Sequence, residues 1–143
     1  MRQGQGKMAR YQNGRLYFAE VALTVLCPAE ATSIIFACSG KGFTSQGVVE
    51  DVPSVGYDDW KQGALLGIRY AMSRCGTLPC SVTVTSIAGL SSDTNPSTVG
   101  AAAIQALWSA LQYVPSSEEQ THIEQIVLQS AAQPWDHIPD FGS

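Results

Sequence analysis

Residues 81–111, SVTVTSIAGLSSDTNPSTVGAAAIQALWSAL, change character twice within one continuous unit. Val82 and Val84 alternate with Ser81, Thr83 and Thr85, the period of two expected of a half-buried strand. A polar turn over residues 89–95 follows, and Asn95-Pro96 sets a capping side chain directly before a proline suited to the first helical position. From Val99 to Leu111 the chain is apolar on nearly all sides apart from Gln105 and Ser109. A helix without a polar face belongs at the centre of a molecule. Gly100, Ala101, Ala102 and Ala103 are small enough to let it lie close to a sheet.

Upstream, Asn13-Gly14 is a turn signal ahead of residues 15–26, where Tyr17, Ala19, Val21, Leu23 and Val25 set one apolar face of a strand closed by Pro28. Residues 33–38, SIIFAC, form a second apolar run of strand length, expected to pair antiparallel with the first. The GKG at residues 40–42 lacks the spacing of a phosphate loop and reads as a solvated turn. Residues 43–50 are expected to add a third, weaker strand. Over residues 57–74 the period becomes helical, with Trp60, Ala64, Ile68, Ala71 and Cys75 on one face and Leu65 and Met72 beside them. Asp58 and Asp59 suit the positive end of that helix, Gly76 suits its C-terminal exit, and Gly63 and Gly67 permit a close approach to a neighbour. Residues 77–79 read as a linker.

Downstream, Pro115 ends the apolar helix, and Ser116 with Glu119 forms a capping box that opens another, whose Ile123, Ile126 and Val127 face inward. The tail from residue 133 carries Trp135, Ile138 and Phe141 among prolines. It suits an extended segment laid over the body, or a contact with a protein partner or a second copy of the chain.

The 143 residues are 45% hydrophobic and 14% charged, which fits one domain with a real core. Neither a membrane-length apolar run nor a leader with an apolar core is present, so a soluble, cytoplasmic protein is expected. The net charge of -4 is unevenly spread, for Arg2, Lys7, Arg10 and Arg15 precede any acid and nothing after Arg74 is Lys or Arg. Such a chain is unsuited to nucleic acid except through its basic N-terminus. Cys27, Cys38, Cys75 and Cys80 match no zinc or redox motif. Buried free thiols are the expected state, with a Cys75–Cys80 bridge as the alternative. No cofactor or metal motif occurs.

The organisation that follows is a basic flexible lead-in over 1–12, one α+β domain over 13–132, and a tail over 133–143. The fold expected is a split β-α-β two-layer sandwich with about four strands, two core helices and an extra C-terminal helix. This order resembles domain IV of elongation factor G, whose fold is shared with a domain of a small-subunit ribosomal protein and with the GHMP kinases. The resemblance rests on the opening turn Gln12-Asn13-Gly14-Arg15-Leu16-Tyr17, the crossover helix at 57–74 and the tip loop at 89–97, with Asp93-Thr94 at the family's Asp-Ser. GLSSDTNPS has no equivalent of the family's tip histidine, since both histidines, His122 and His137, lie near the C-terminus. The resemblance implies a non-catalytic binding or interaction domain, linked to translation.

In that fold the turn and the tip loop share one end of the sheet, making Asn13, Arg15, Asp93, Thr94, Asn95 and Ser97 the candidate ligand-binding residues. A helix N-terminus there favours an anion, although Asp93 opposes one and the same side chains also serve as helix caps. The alternative is a small enzyme with its site at the 89–97 cluster acting on an anionic molecule, with Asp93 as base and Lys41 or Arg15 as electrostatic partner. It would draw on His122 or His137 only if the tail folds back. No catalytic residue is identifiable from the sequence.

Overall fold

In the computed structural model, which describes residues 1–76 and 78–142, the chain opens with two long strands, β1 (Arg2–Gln12) and β2 (Arg15–Leu26). They pair antiparallel along their whole length, from Arg2 opposite Val25 to Gln12 opposite Arg15. Asn13 and Gly14 both take positive φ, 55° and 75°, the two-residue turn whose twist matches that of the flanking strands. The first dozen residues are therefore not a flexible lead-in. Their strand is hard to see in the sequence because its buried positions begin with Gly4 and Gly6, which carry no apolar side chain.

β3 (Ser33–Phe36), β4 (Glu50–Asp51) and β5 (Ser81–Gly89) complete a five-stranded sheet in the order β1-β2-β5-β3, with β4 paired to the end of β5. β5 is central, antiparallel to β2 and β4 and parallel to β3. The antiparallel pairing expected between residues 15–26 and 33–38 is replaced by this arrangement. Both edges of β2 are already occupied by β1 and β5, and the helix between β3 and β5 is a crossover, which returns the chain parallel. Residues 43–49 form no strand. Val48 and Val49 lie about half exposed, and only Glu50 and Asp51 reach β5.

Three helices, α1 (Asp58–Cys75), α2 (Pro96–Leu111) and α3 (Ser117–Gln129), cover the sheet. α2 is buried along nearly its whole length, with Ile104 and Leu107 fully enclosed. It can sit there because its neighbours are glycines: Gly4 and Gly6 face its backbone from β1, and Gly63 and Gly67 face it from α1. The tail closes the same layer. Phe141 is buried between Gly100 and Tyr70, and its carbonyl lies 2.8 Å from His122 Nε2. Phe141 is thus part of the chain's own core, whereas Trp135 and Ile138 stay partly exposed.

Cys27 and Cys80 form a disulfide between the end of β2 and the start of β5, their Cα atoms 4.5 Å apart. Cys38 and Cys75 are free. The state expected for Cys27 and Cys80 is corrected accordingly, because Leu26 opposite Ser81 places them in the next facing position across the two strands. Within the linker at 77–79, Thr77 lies outside the described residues, as does Ser143 of the tail. Among the described residues no helix is long and apolar enough to cross a membrane.

The capping box of α3 forms as expected, Ser116 Oγ accepting from Glu119 N while Ser116 N donates to Glu119 Oε1. Glu119 also receives Arg74 Nε at 2.8 Å and the Tyr113 hydroxyl at 2.9 Å. These donors hold its carboxyl at about 2 instead of 4.5, the Ser116 backbone N–H first and Arg74 next. A depressed folded-state pKa stabilises above the unfolded value, and that contribution disappears as pH falls from about 4.5 toward about 2. Urea midpoints compared at pH 7 and pH 3 are expected to fall further in the wild type than in Glu119→Gln. Equal falls would show that Glu119 titrates like an exposed acid.

Candidate functional site

One end of the sheet gathers four segments: the β1–β2 turn, the tip loop between β5 and α2, the start of α1, and tail residues 133–136. Backbone and side-chain bonds tie them together. Phe18 N donates to the Asp93 carbonyl at 3.0 Å, and Thr94 Oγ1 donates to the Phe18 carbonyl at 2.6 Å while accepting from Leu90 N at 2.7 Å. Asn95 caps α2 by accepting from Thr98 N at 2.9 Å, Asn95 N in turn donates to Thr98 Oγ1, and Asn95 Nδ2 donates to Ser130 Oγ. Thr94, Asn95 and Ser97 are buried. Their placement at the tip is as expected, and the hydrogen-bonding groups of Thr94 and Asn95 are engaged within the chain. Asp93 receives a bond from the Ser92 hydroxyl at 3.3 Å, and Asn13 is exposed at the hairpin turn.

Glu50, Tyr57 and Ser91 form a second polar knot that sequence reasoning missed. Glu50 is buried and accepts three bonds, from Tyr57 Oη at 2.7 Å, Ser91 N at 2.6 Å and Ser91 Oγ at 2.5 Å. A carboxylate can be buried there because charged hydrogen bonds offset its lost hydration. Tyr57 stands before α1 in the left-handed region, with φ 57°, an uncommon conformation for a bulky residue. Burial and the Glu50 carboxylate push its hydroxyl up to about 12. The only sign of this knot in the sequence is the acidic pair Glu50-Asp51 set between Val49 and Val52.

Beside the knot lies a groove of about 570 Å³ lined by Tyr57, Asp58, Asp59, Trp60, Ser91 and Pro96, and by Trp135 and Asp136 from the tail. Tyr57 and Trp60 pack with ring centres 4.9 Å apart and planes tilted by 60°. Arg15 completes this end, its guanidinium 4.3 Å from the Trp135 ring and 5.4 Å from the Tyr17 ring. The sequence reading anticipated Arg15 but not its aromatic partner, which lies far along the chain.

Other residues considered for chemistry lie elsewhere. Lys41 borders a separate cavity with Val52, Thr85 and Ser86, and His122 is held by the Phe141 carbonyl. Neither histidine lines the groove. Of the basic N-terminal residues, Lys7 pairs with Glu20 and Arg10 with Glu124. Among the described residues no three of His, Cys, Asp and Glu are placed to share a metal ion.

No family model and no curated protein matches the chain. Among solved structures it is similar to the crystal structure of ttk003000868 from Thermus thermophilus, with a TM-score of 0.61 and 15% sequence identity. The match covers 92% of this chain and 20% of that one, so this chain spans about one fifth of the length of the structure it resembles. At that identity the likeness concerns the fold: the chain is an α+β sandwich of a kind that also occurs within a larger Thermus protein.

Proposed function

We propose that this chain is a non-catalytic binding domain of the elongation factor G domain IV type, and that it takes a positively charged polypeptide segment in the groove beside the tip loop. One observation carries the reading. The groove presents two indoles and a phenol together with Asp58, Asp59 and Asp136, and aromatic faces with nearby carboxylates favour lysine and arginine side chains. Thr94, Asn95 and Glu50 meanwhile serve to hold the tip together. The likeness to one fifth of a larger structure fits a modular part. A translation-linked role belongs to this reading through the resemblance of the fold.

The alternative, an enzyme acting on an anionic molecule at residues 89–97, needs a base and a nucleophile within reach of each other. Asp93 is bonded to Ser92, and Ser91 donates to Glu50, whose other oxygen holds Tyr57. That is a tethering arrangement.

The test is a calorimetric titration of the chain with an oligolysine peptide at low and high salt. Binding is expected to weaken as salt rises and to drop about tenfold, the equivalent of ~1.4 kcal/mol, in the Asp58→Asn, Asp59→Asn double variant. Binding that ignores both salt and the double substitution removes the groove from the proposal. Ribosomal subunits that co-sediment with the chain, and are displaced by the same peptide, would support the translation link. Failure of subunits to co-sediment under conditions where the peptide binds would remove that link and leave the groove in place.

A further inference from the structure

Arg15 has a buried edge with no hydrogen-bonding partner among the described residues. Its Nε and Nη2 are enclosed and donate to none of them. These two nitrogens form one side of the guanidinium, with their N–H bonds parallel, and that side matches the two oxygens of a carboxylate or phosphate. A buried charged donor without an acceptor is costly. The guanidinium lies over two rings, Trp135 at 4.3 Å and Tyr17 at 5.4 Å, both within cation–π reach. Tyr17 belongs to the sheet core, whereas Trp135 is about 40% exposed and sits in a turn closed by a bond from His137 N to the Pro134 carbonyl.

We infer that Arg15 is an occluded carboxylate-binding site, covered by Trp135 and opened when the tail turn at 134–137 lifts. A carboxylate is favoured over a phosphate because Asp136 adjoins Trp135 in the chain and Asp58 and Asp59 share the groove that Trp135 borders. A single negative charge is repelled less by these acids than a double one. The site is distinct from the proposed groove for basic segments. The two share Trp135, but the groove takes cations through its carboxylates and this site takes an anion through the inner edge of one cation, so either can fail without the other. The tail stays docked through Phe141, which is buried in the core. Lifting the turn therefore exposes Arg15 without releasing the whole segment.

The test follows the Arg15 Nε–H resonance in the uniformly labelled full chain during titration with acetate, with inorganic phosphate and chloride as the other arms. Acetate is expected to shift that resonance in a saturable way, and phosphate and chloride to move it less. In Trp135→Ala, where the open form no longer has to be populated at a cost, acetate should bind roughly tenfold tighter. Arg15→Lys, which keeps the charge and loses the paired donors, should lose the response of the thermal midpoint to acetate. Short peptides then distinguish the sources, one with a free C-terminal carboxylate and one amidated but carrying a single glutamate. An Arg15 resonance indifferent to acetate in both the wild type and Trp135→Ala overturns the inference, and so does tighter binding of phosphate than of acetate.

Discussion

Gly6→Leu is expected to lower stability by about 3 kcal/mol, while Gln5→Leu, one residue away, leaves it nearly unchanged. A Cβ at Gly6 would lie 2.0 Å from the Ala102 carbonyl oxygen and 2.6 Å from the Ala106 backbone nitrogen. Both are main-chain atoms of the most buried helix, so no side chain can turn aside to make room. Gln5 points the other way and is exposed. In urea unfolding the Gly6 variant should show a lower midpoint at an unchanged slope. Two variants of equal stability would mean that β1 does not pack on α2 in solution.

Replacing Glu50 with alanine is expected to cost about 3 kcal/mol, because the Tyr57 hydroxyl and the Ser91 N–H and O–H lose one shared acceptor in a buried place. A second measurement separates this cost from a general loss of packing. Spectrophotometric titration of Glu50→Gln, which keeps the size of the side chain, should bring Tyr57 down from about 12 part of the way toward 10. Burial, the largest cause of the shift, remains in that variant, so a complete return to 10 is not expected. An unchanged tyrosine titration would remove the bond between Glu50 and Tyr57 from the account of the tip.

What could be read from the sequence follows from how locally each feature is encoded. The β5–α2 unit, the Asn13-Gly14 turn, the Asn95 cap and the Ser116–Glu119 capping box depend on residues only a few positions apart, and all appear in the structure. The close approach allowed by Gly63 and Gly67 is also seen, since their positions face the backbone of α2. β1 was illegible because hydropathy registers side chains, and its deepest positions have none. The parallel pairing of β3 depends on which edge of β5 remained free, a property of the assembled sheet. The Cys27–Cys80 pair is 53 positions apart, and no spacing rule reaches that far.

The candidate site divides in the same way. The end of the sheet where it lies, and Thr94 and Asn95 as residues of the tip, followed from element order and helix capping. Glu50 and the Arg15–Trp135 contact join segments distant in the chain, and each residue alone has an ordinary surface explanation. A partner for Arg15 could have been suspected from composition, because no acid precedes it while an aromatic-rich tail ends the chain.

The packing of β1 against α2 has a consequence for synthesis. Lys7 N, on the first strand, donates to Gln105 Oε1 from a residue 98 positions later. The opening hairpin therefore emerges long before the helix that its glycines accommodate, and its apolar face, Val21, Leu23 and Val25, has nothing of its own to rest on. Until α2 arrives the nascent hairpin is a strand pair with an uncovered side, open to chaperones and to neighbouring nascent chains. Contacts so distant in sequence also make for slow folding. The glycines that let the finished molecule close tightly thus leave the hairpin waiting on a helix made long after it.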